Sequence, residues 1–429
     1  MSPPKKFIGQ QKSGILKDNM TKLQLDSILL FILVIPFIMT VRIGPGETPF
    51  WLFSIIFSLL SGYIIVDLVL LKEKVKLFVK QIVLWLVIVS VIGSAFVSAI
   101  IVRHQTAPIY MVHDIILQQE AAIRYLVNGK NPYAETYFGT PLEQWSYSPT
   151  EKNPALYHFV MQPLYVIFAL PFYYISNHTI GYFDGRIPLL FLLISTLITG
   201  HFLIKDVKNR LLFLIFMAFN PAMLSYTLEG RSDMFMFGFL FVGLYFLYKK
   251  KYLFSSVGIA FAFAVKQSVW PLLPLYVAFL YLKTKSIKKV LKSMTVFFVS
   301  FAIFAGPFFF WNQKAFLDST VFYLSGNTPS SYPVSGYGFG MLLHSFGVIR
   351  DVHAYFPFIV WQLIIGLPVL VALIVYLKRN PTVKRLIISY ALFLFVFWYL
   401  SRYFNNSHLG YLSMLFIACH FFPEEKTFS

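Results

Sequence analysis

The chain has 429 residues, 58% of them hydrophobic and 13% charged, with a formal net charge of +18 and a mean hydropathy of +0.69. A soluble globular domain carries about a quarter charged residues, so this composition excludes an ordinary soluble enzyme and sets long uncharged runs against lipid, where only helices or a closed barrel satisfy the backbone. The runs are apolar on all sides instead of alternating as barrel strands do, which predicts an all-α, polytopic transmembrane helical bundle; the single cysteine, Cys419, excludes a disulfide framework and cysteine metal sites.

Residues 1–24 read as a lysine-rich cytoplasmic tail without a signal-cleavage pattern. Twelve spans follow, at 25–43, 49–71, 81–102, 186–204, 211–228, 233–248, 252–266, 267–282, 293–311, 354–377, 386–401 and 408–422. Residues 25–423 form one transmembrane domain and 424–429 a second cytoplasmic tail. The run 153–176 is long enough to cross, but it carries Asn153, Pro154, His158, Gln162, Pro163 and Pro171, which suit an interfacial or half-buried helix. Keeping it outside places 25 of the 36 basic residues and 7 of the 18 acids on the cytoplasmic face, so that face carries the entire +18 and the outer face is neutral. Orientation and anionic inner-leaflet lipid account for the basic excess without a nucleic-acid partner.

Two outer loops remain, 103–185 and 312–353. In the first, Ile116, Gln119, Ile123 and Leu126 recur at helical spacing, and Gly129 and Pro132 end the pattern. Asp114 falls in the first turn of this helix, where it either caps the helix or takes a proton from an acceptor hydroxyl at the membrane surface. Arg186, at the entry to the fourth span, reads as an interfacial anchor. Glu229-Gly230-Arg231-Ser232-Asp233 is either a sugar- or phosphate-binding turn or a self-paired charge cluster. Lys266, with Gln267, interrupts an apolar stretch at the tip of a tight hairpin; its ammonium either meets a lipid phosphate or snorkels to the headgroups. Tyr323, Tyr332 and Tyr337 in the second loop suit a cover over a sugar. Arg402, Asn405, Asn406 and His408 form a last polar turn. The outer histidines, His113 among them, lack zinc-site spacing and read as interfacial residues. No nucleotide-binding glycine motif is present.

The order of these features resembles the GT-C superfamily of integral membrane glycosyltransferases, in particular the polyprenol-phosphate-mannose-dependent branch. The likeness rests on Asp114 in the first large outer loop, the helix ending Asn128-Gly129-Lys130-Asn131-Pro132-Tyr133, the proline-containing surface helices of 153–176, Arg186-Ile187-Pro188 opening a span, Gly230-Arg231-Ser232-Asp233, and Lys266 followed by Pro271 and Pro274. It covers residues 100–410; the first two spans are additional, and Arg231 stands where many relatives have glutamine.

The resemblance implies inverting transfer of a hexose such as mannose, on the non-cytoplasmic face, from a polyprenyl-phosphate-linked donor to a lipid, glycan or protein acceptor. Asp114 is then the base, Lys266, Arg402 and Arg231 are donor-phosphate contacts, and Glu120, Asp233, Gln267, His408 and Tyr337 are substrate contacts. No cofactor is called for, and no ligand cluster argues for the divalent metal that some of the superfamily use. The competing expectation is a transporter or flippase of a lipid-linked or small solute, against which stand the lack of an internal repeat and the clustering of charge at the outer surface.

Overall fold

The computed structural model describes residues 22–40, 50–146 and 151–425. Residues 1–21 of the expected tail, 426–429 and the join between the first two expected spans lie outside the described residues.

Helices fill the chain in the order α1 (Leu25–Thr40), α2 (Phe50–Leu68), α3 (Glu73–Ile88), α4 (Ser94–Thr106), α5 (Asp114–Val127), α6 (Leu164–Ile167), α7 (Leu170–Thr179), α8 (Arg186–Leu203), α9 (Val207–Ala218), α10 (Leu224–Glu229), α11 (Asp233–Tyr248), α12 (Tyr252–Phe263), α13 (Leu272–Thr284), α14 (Ile287–Trp311), α15 (Gln313–Leu317), α16 (Tyr323–Ser325), α17 (Phe339–Ser345), α18 (Phe358–Arg379), α19 (Val383–Tyr399) and α20 (Asn406–Phe421). A π turn, Val89–Gly93, joins α3 and α4 into one continuous rod. Between α16 and α17, β1 (Ser335–Gly336) pairs in parallel with β2 (Tyr403–Phe404), joining the 312–353 loop to the turn before α20. The protein is thus all-α, with five helices among the described residues long and apolar enough to cross a membrane: Phe50–Leu68, Glu73–Thr106, Arg186–Leu203, Ile287–Trp311 and Phe358–Arg379.

α11 is the axis of the bundle. It is apolar on every side and buried on nearly every side, packed against α8 and α12, as a helix without a polar face must be. Its backbone meets that of α12 at Gly243 and Gly258, where a Cβ on Gly258 would lie 2.7 Å from the Gly243 Cα. Small residues are what allow two helix backbones to come this close. By contrast, only 11% of the most apolar window of α18 is covered.

Several expected elements change form. The stretch 211–228 is not one helix: α9 stops at Ala218, Asn220 caps the amide of Ala222 at 3.0 Å, and Pro221 cannot donate and disfavours helix at the residue before it. Residues 153–176 form no single helix either. A 3-10 turn at Pro154–Leu156 precedes α6 and α7, and α6 is buried instead of lying on the surface, with Leu164, Tyr165 and Val166 each at most 3% exposed. Lys80, expected in a cytoplasmic loop, is inside α3 and 1% exposed. It reaches Asp26 and Asp67, each at 2.8 Å, and so ties α1, α2 and α3 together.

The loops associate in two groups. Glu73 pairs with Lys208, Gln81 with Arg210, and Lys283 with Glu425. At the other end, segments near 103, 113, 184, 229, 266, 320, 353 and 402 meet one another through the contacts described next.

Candidate active site

α5 begins where the sequence expects it. His113, in extended conformation, is the N-cap and Asp114 the first helical residue; an acid is favoured there by the exposed amides and the helix dipole. Gly129, at φ +72°, ends the helix. The first ten residues of α5 are all buried, because the 153–165 segment, the Gly185 turn and the Gly230 turn close over it. Gln118 donates to the carbonyls of Ala155 and His158 at 2.6 and 2.7 Å, and Gln119 donates to Tyr165 at 2.7 Å. Asp114 is 5% exposed. One carboxylate oxygen contacts His113 Nδ1 at 2.5 Å, and the other accepts from Asn153 at 3.0 Å.

The His113 amide donates to the Glu229 carbonyl at 2.8 Å, which docks the start of α5 on the Glu229–Asp233 turn. Gly230 is left-handed there (φ +92°), and a Cβ on it would lie 2.1 Å from Ile116 Cγ1 and 3.3 Å from Arg186 Cγ. Only glycine supplies that conformation and that clearance without strain.

Below this joint lies a buried four-charge network. Arg103 grips both oxygens of Glu120 at 2.8 Å and Asp184 at 2.8 Å. Arg186 grips both oxygens of Asp184 at 2.9 and 2.8 Å and donates to Ala99 O at 3.1 Å. Two expected roles meet the structure here. Glu120, expected as a substrate contact, has both its oxygens held by Arg103 and one also by the Gly185 amide at 3.1 Å. Arg186 is not an interfacial anchor, since it is 0% exposed. Two acids and two arginines make the set neutral, which a buried cluster requires. Burial alone would raise the Asp184 carboxyl, but Arg186 and Arg103 outweigh it and lower the group to about 2.

The second centre joins Asp233 and Lys266. Asp233 opens α11; Lys266 is extended in the break between α12 and the 3-10 turn before α13, held there because Gln162 N and Leu164 N bond the carbonyls of Val265 and Ala264 at 3.0 and 2.9 Å. Lys266 Nζ lies 2.7 Å from Asp233 Oδ1, with the lysine side chain 18% exposed and the aspartate 2%. His408 and Arg231 also act on Asp233 electrostatically. The two centres share a neighbour. The fully buried Tyr165 phenol is kept neutral first by burial and then by the fields of Glu120, Asp114 and Asp233. Arg231 covers the Tyr226 ring at 4.5 Å and meets Glu229 at 3.4 Å. His408 Nδ1 accepts from the Asn405 amide at 2.9 Å, so its ring is a donor through Nε2.

The remaining expected contacts fall elsewhere. Gln267 is a tie, donating to Val160 O at 2.8 Å and Thr320 O at 2.9 Å. Arg402, expected as a phosphate contact, is engaged by backbone carbonyls. It is 2% exposed, and its guanidinium donates to the carbonyls of Tyr332, Ala354, Val352 and His353, the last three at 2.8 to 3.0 Å. It staples the 312–353 loop. Tyr337 is 64% exposed and contributes its amide to Phe404 O. Tyr323 is the loop tyrosine that turns inward: it is buried against His158, with ring centroids 5.2 Å apart, and Asp114 lies within its electrostatic reach.

Sequence reading passed over three residues of this site. His113 was one of several outer histidines, and its signal was its place immediately before the first helical acid. Asn153 and Asp184 gave only the weaker signals of a residue before proline and of an acid two positions before a span-opening arginine. Among the described residues no three His, Cys, Asp or Glu side chains assemble to hold a metal ion. No protein-family model, curated protein or solved structure significantly matches the chain.

Proposed function

We propose that this protein is an integral membrane glycosyltransferase of twelve spans with both termini cytoplasmic, and that it moves a hexose from a polyprenyl-phosphate donor to an acceptor hydroxyl on the outer face with inversion. The observation that carries this reading is the convergence of an acid and a cation from three remote segments: the Asp114 turn bonded to the Glu229 turn, and that turn's Asp233 bonded to Lys266.

A phosphate is already a competent leaving group. What transfer requires is a proton acceptor for the incoming hydroxyl and positive charge where the phosphate departs. The Asp114 centre supplies the first. Lys266 supplies the second, because an ammonium has three donors and Asp233 uses one of them, fixing its position. Arg231, with a side chain 24% exposed, is the companion cation. The outward apolar face of α18 and the grouping of loops at two ends support a bilayer setting.

The test is incubation of the purified protein with a panel of polyprenyl-phosphate sugars and hydroxyl acceptors. Product with inverted anomeric configuration is expected. Failure of the whole panel, with solute movement in proteoliposomes instead, would put a transporter in its place.

A further inference from the structure

We infer that the group receiving the acceptor's proton is the imidazole of His113, with Asp114 as the positioning residue behind it; this rests on the glycosyltransferase reading above.

Asp114 is poorly placed to touch an acceptor. Its side chain is 7% exposed against 19% for His113, and its two oxygens are engaged by His113 and Asn153. Reaching a hydroxyl would mean giving up one of those bonds inside a buried site. A ring nitrogen and a carboxylate oxygen 2.5 Å apart must share a proton, because two facing lone pairs repel at that distance. The Ile115 amide, 3.4 Å from the same nitrogen, is at the weak limit of a hydrogen bond and does not compete. With Nδ1 bearing the proton toward Asp114, Nε2 holds the ring's free lone pair, and among the described residues it carries no hydrogen bond. The ring is steadied from the side by Trp145, with centroids 5.6 Å apart, and its own amide is anchored on Glu229. This is the arrangement in which a carboxylate fixes the tautomer of an imidazole and stabilises the imidazolium once it forms.

In the step, the acceptor O–H proton passes to His113 Nε2 while the acceptor oxygen forms its bond to the anomeric carbon. The bond from that carbon to the phosphate oxygen breaks, and its electron pair leaves on the polyprenyl phosphate, which Lys266 faces. The imidazolium later returns its proton to the outer solution.

The experiment compares wild type, His113→Asn, His113→Ala and Asp114→Asn in the transfer assay, with thermal unfolding as a check of folding. Asparagine places an N–H near the position of Nδ1, so His113→Asn keeps a donor to Asp114 but has nothing that takes a proton. We expect folded His113→Asn protein with kcat lowered about 10²- to 10⁴-fold and KM little changed. Exogenous imidazole should restore part of the rate to His113→Ala and none to Asp114→Asn. If His113→Asn transfers within about threefold of wild type, or imidazole has no effect on a folded His113→Ala, the proposal is overturned and Asp114 acts directly, with the glycosyltransferase reading intact. If the wild type transfers nothing from any donor, that reading fails and this one with it.

Discussion

The amide of His113 donates to the carbonyl of Glu229 across 2.8 Å, joining residues 116 positions apart in the chain. That bond seats the first turn of α5 on the turn that carries Arg231 and Asp233, and through Asp233 it connects to Lys266. The proposed acid and cation thus belong to one rigid joint.

The glycine at this joint is the first point of test. Alanine at 230 would have to hold φ near +92° and would drive its Cβ to 2.1 Å from Ile116. The backbone cost alone is about 1–2 kcal/mol, with the displacement of α5 added. Gly230→Ala should lower the unfolding midpoint and abolish most transfer, whereas Gly129→Ala, where a Cβ would meet nothing within 4 Å, should lose only the backbone term. Equal effects of the two on activity would show that the docking of α5 is unimportant.

Lys266 and Asp233 separate a structural ion pair from a phosphate contact. Lys266→Met should reduce kcat/KM about 10²- to 10³-fold, the usual effect of removing one donor aimed at developing charge. Asp233→Asn should have a smaller effect, by loosening the ammonium. The exchanged double variant, Lys266→Asp with Asp233→Lys, restores opposite charges and should regain part of the stability lost by Lys266→Met without regaining transfer. Full recovery of transfer would reduce the pair to scaffolding.

The buried network predicts acid sensitivity with a definite sign. Asp184 has its carboxyl lowered from 3.8 to about 2. A lowered folded-state value contributes stability that is complete above the unfolded value and lost as the pH falls through it toward the folded one. Unfolding followed in detergent between pH 6 and pH 2 should therefore show about 2 kcal/mol disappearing below about pH 4. Asp184→Asn should be destabilised at neutral pH, by about 3–5 kcal/mol because Arg186 loses its charged partner and Arg103 one of its two, and its pH dependence in that window should be shallower. A pH profile identical to wild type would remove Asp184 from this role.

Arg402 should act on the 312–353 loop. Lysine cannot fork to four carbonyls as guanidinium does, so Arg402→Lys should leave buried carbonyls unsatisfied, at a cost of at least about 3 kcal/mol. Limited proteolysis should then cut within 326–356 faster than in wild type. If the loop is cut at the wild-type rate while donor affinity falls, a phosphate contact would be the better account of Arg402.

Much of the helical plan was legible because apolar runs and breakers act locally: α5 starts at Asp114, α8 at Arg186 and α11 at Asp233, where the polar residues mark the ends. The hairpin broken at Lys266 was legible for the same reason, since a lone ammonium in an apolar run forces an interruption. Less legible was the break after α9, where Asn220 and Pro221 end a helix that hydropathy alone would carry on to 228.

By itself, the sequence determined the all-α character and which polar residues cluster near helix ends, because these follow from backbone satisfaction and local propensity. Only the tertiary structure decided what each polar group faces. Glu120 and Arg402, implied as site residues, and Arg186, read as an anchor, are each engaged by buried partners, some of them 17 to 87 positions away. His113, marked in the sequence only by its place before Asp114, becomes the more exposed member of a pair because the surrounding chain closes over Asp114. A side chain's chemistry is set by its residue type, but its availability is set by which long-range hydrogen bonds the packed chain has already claimed.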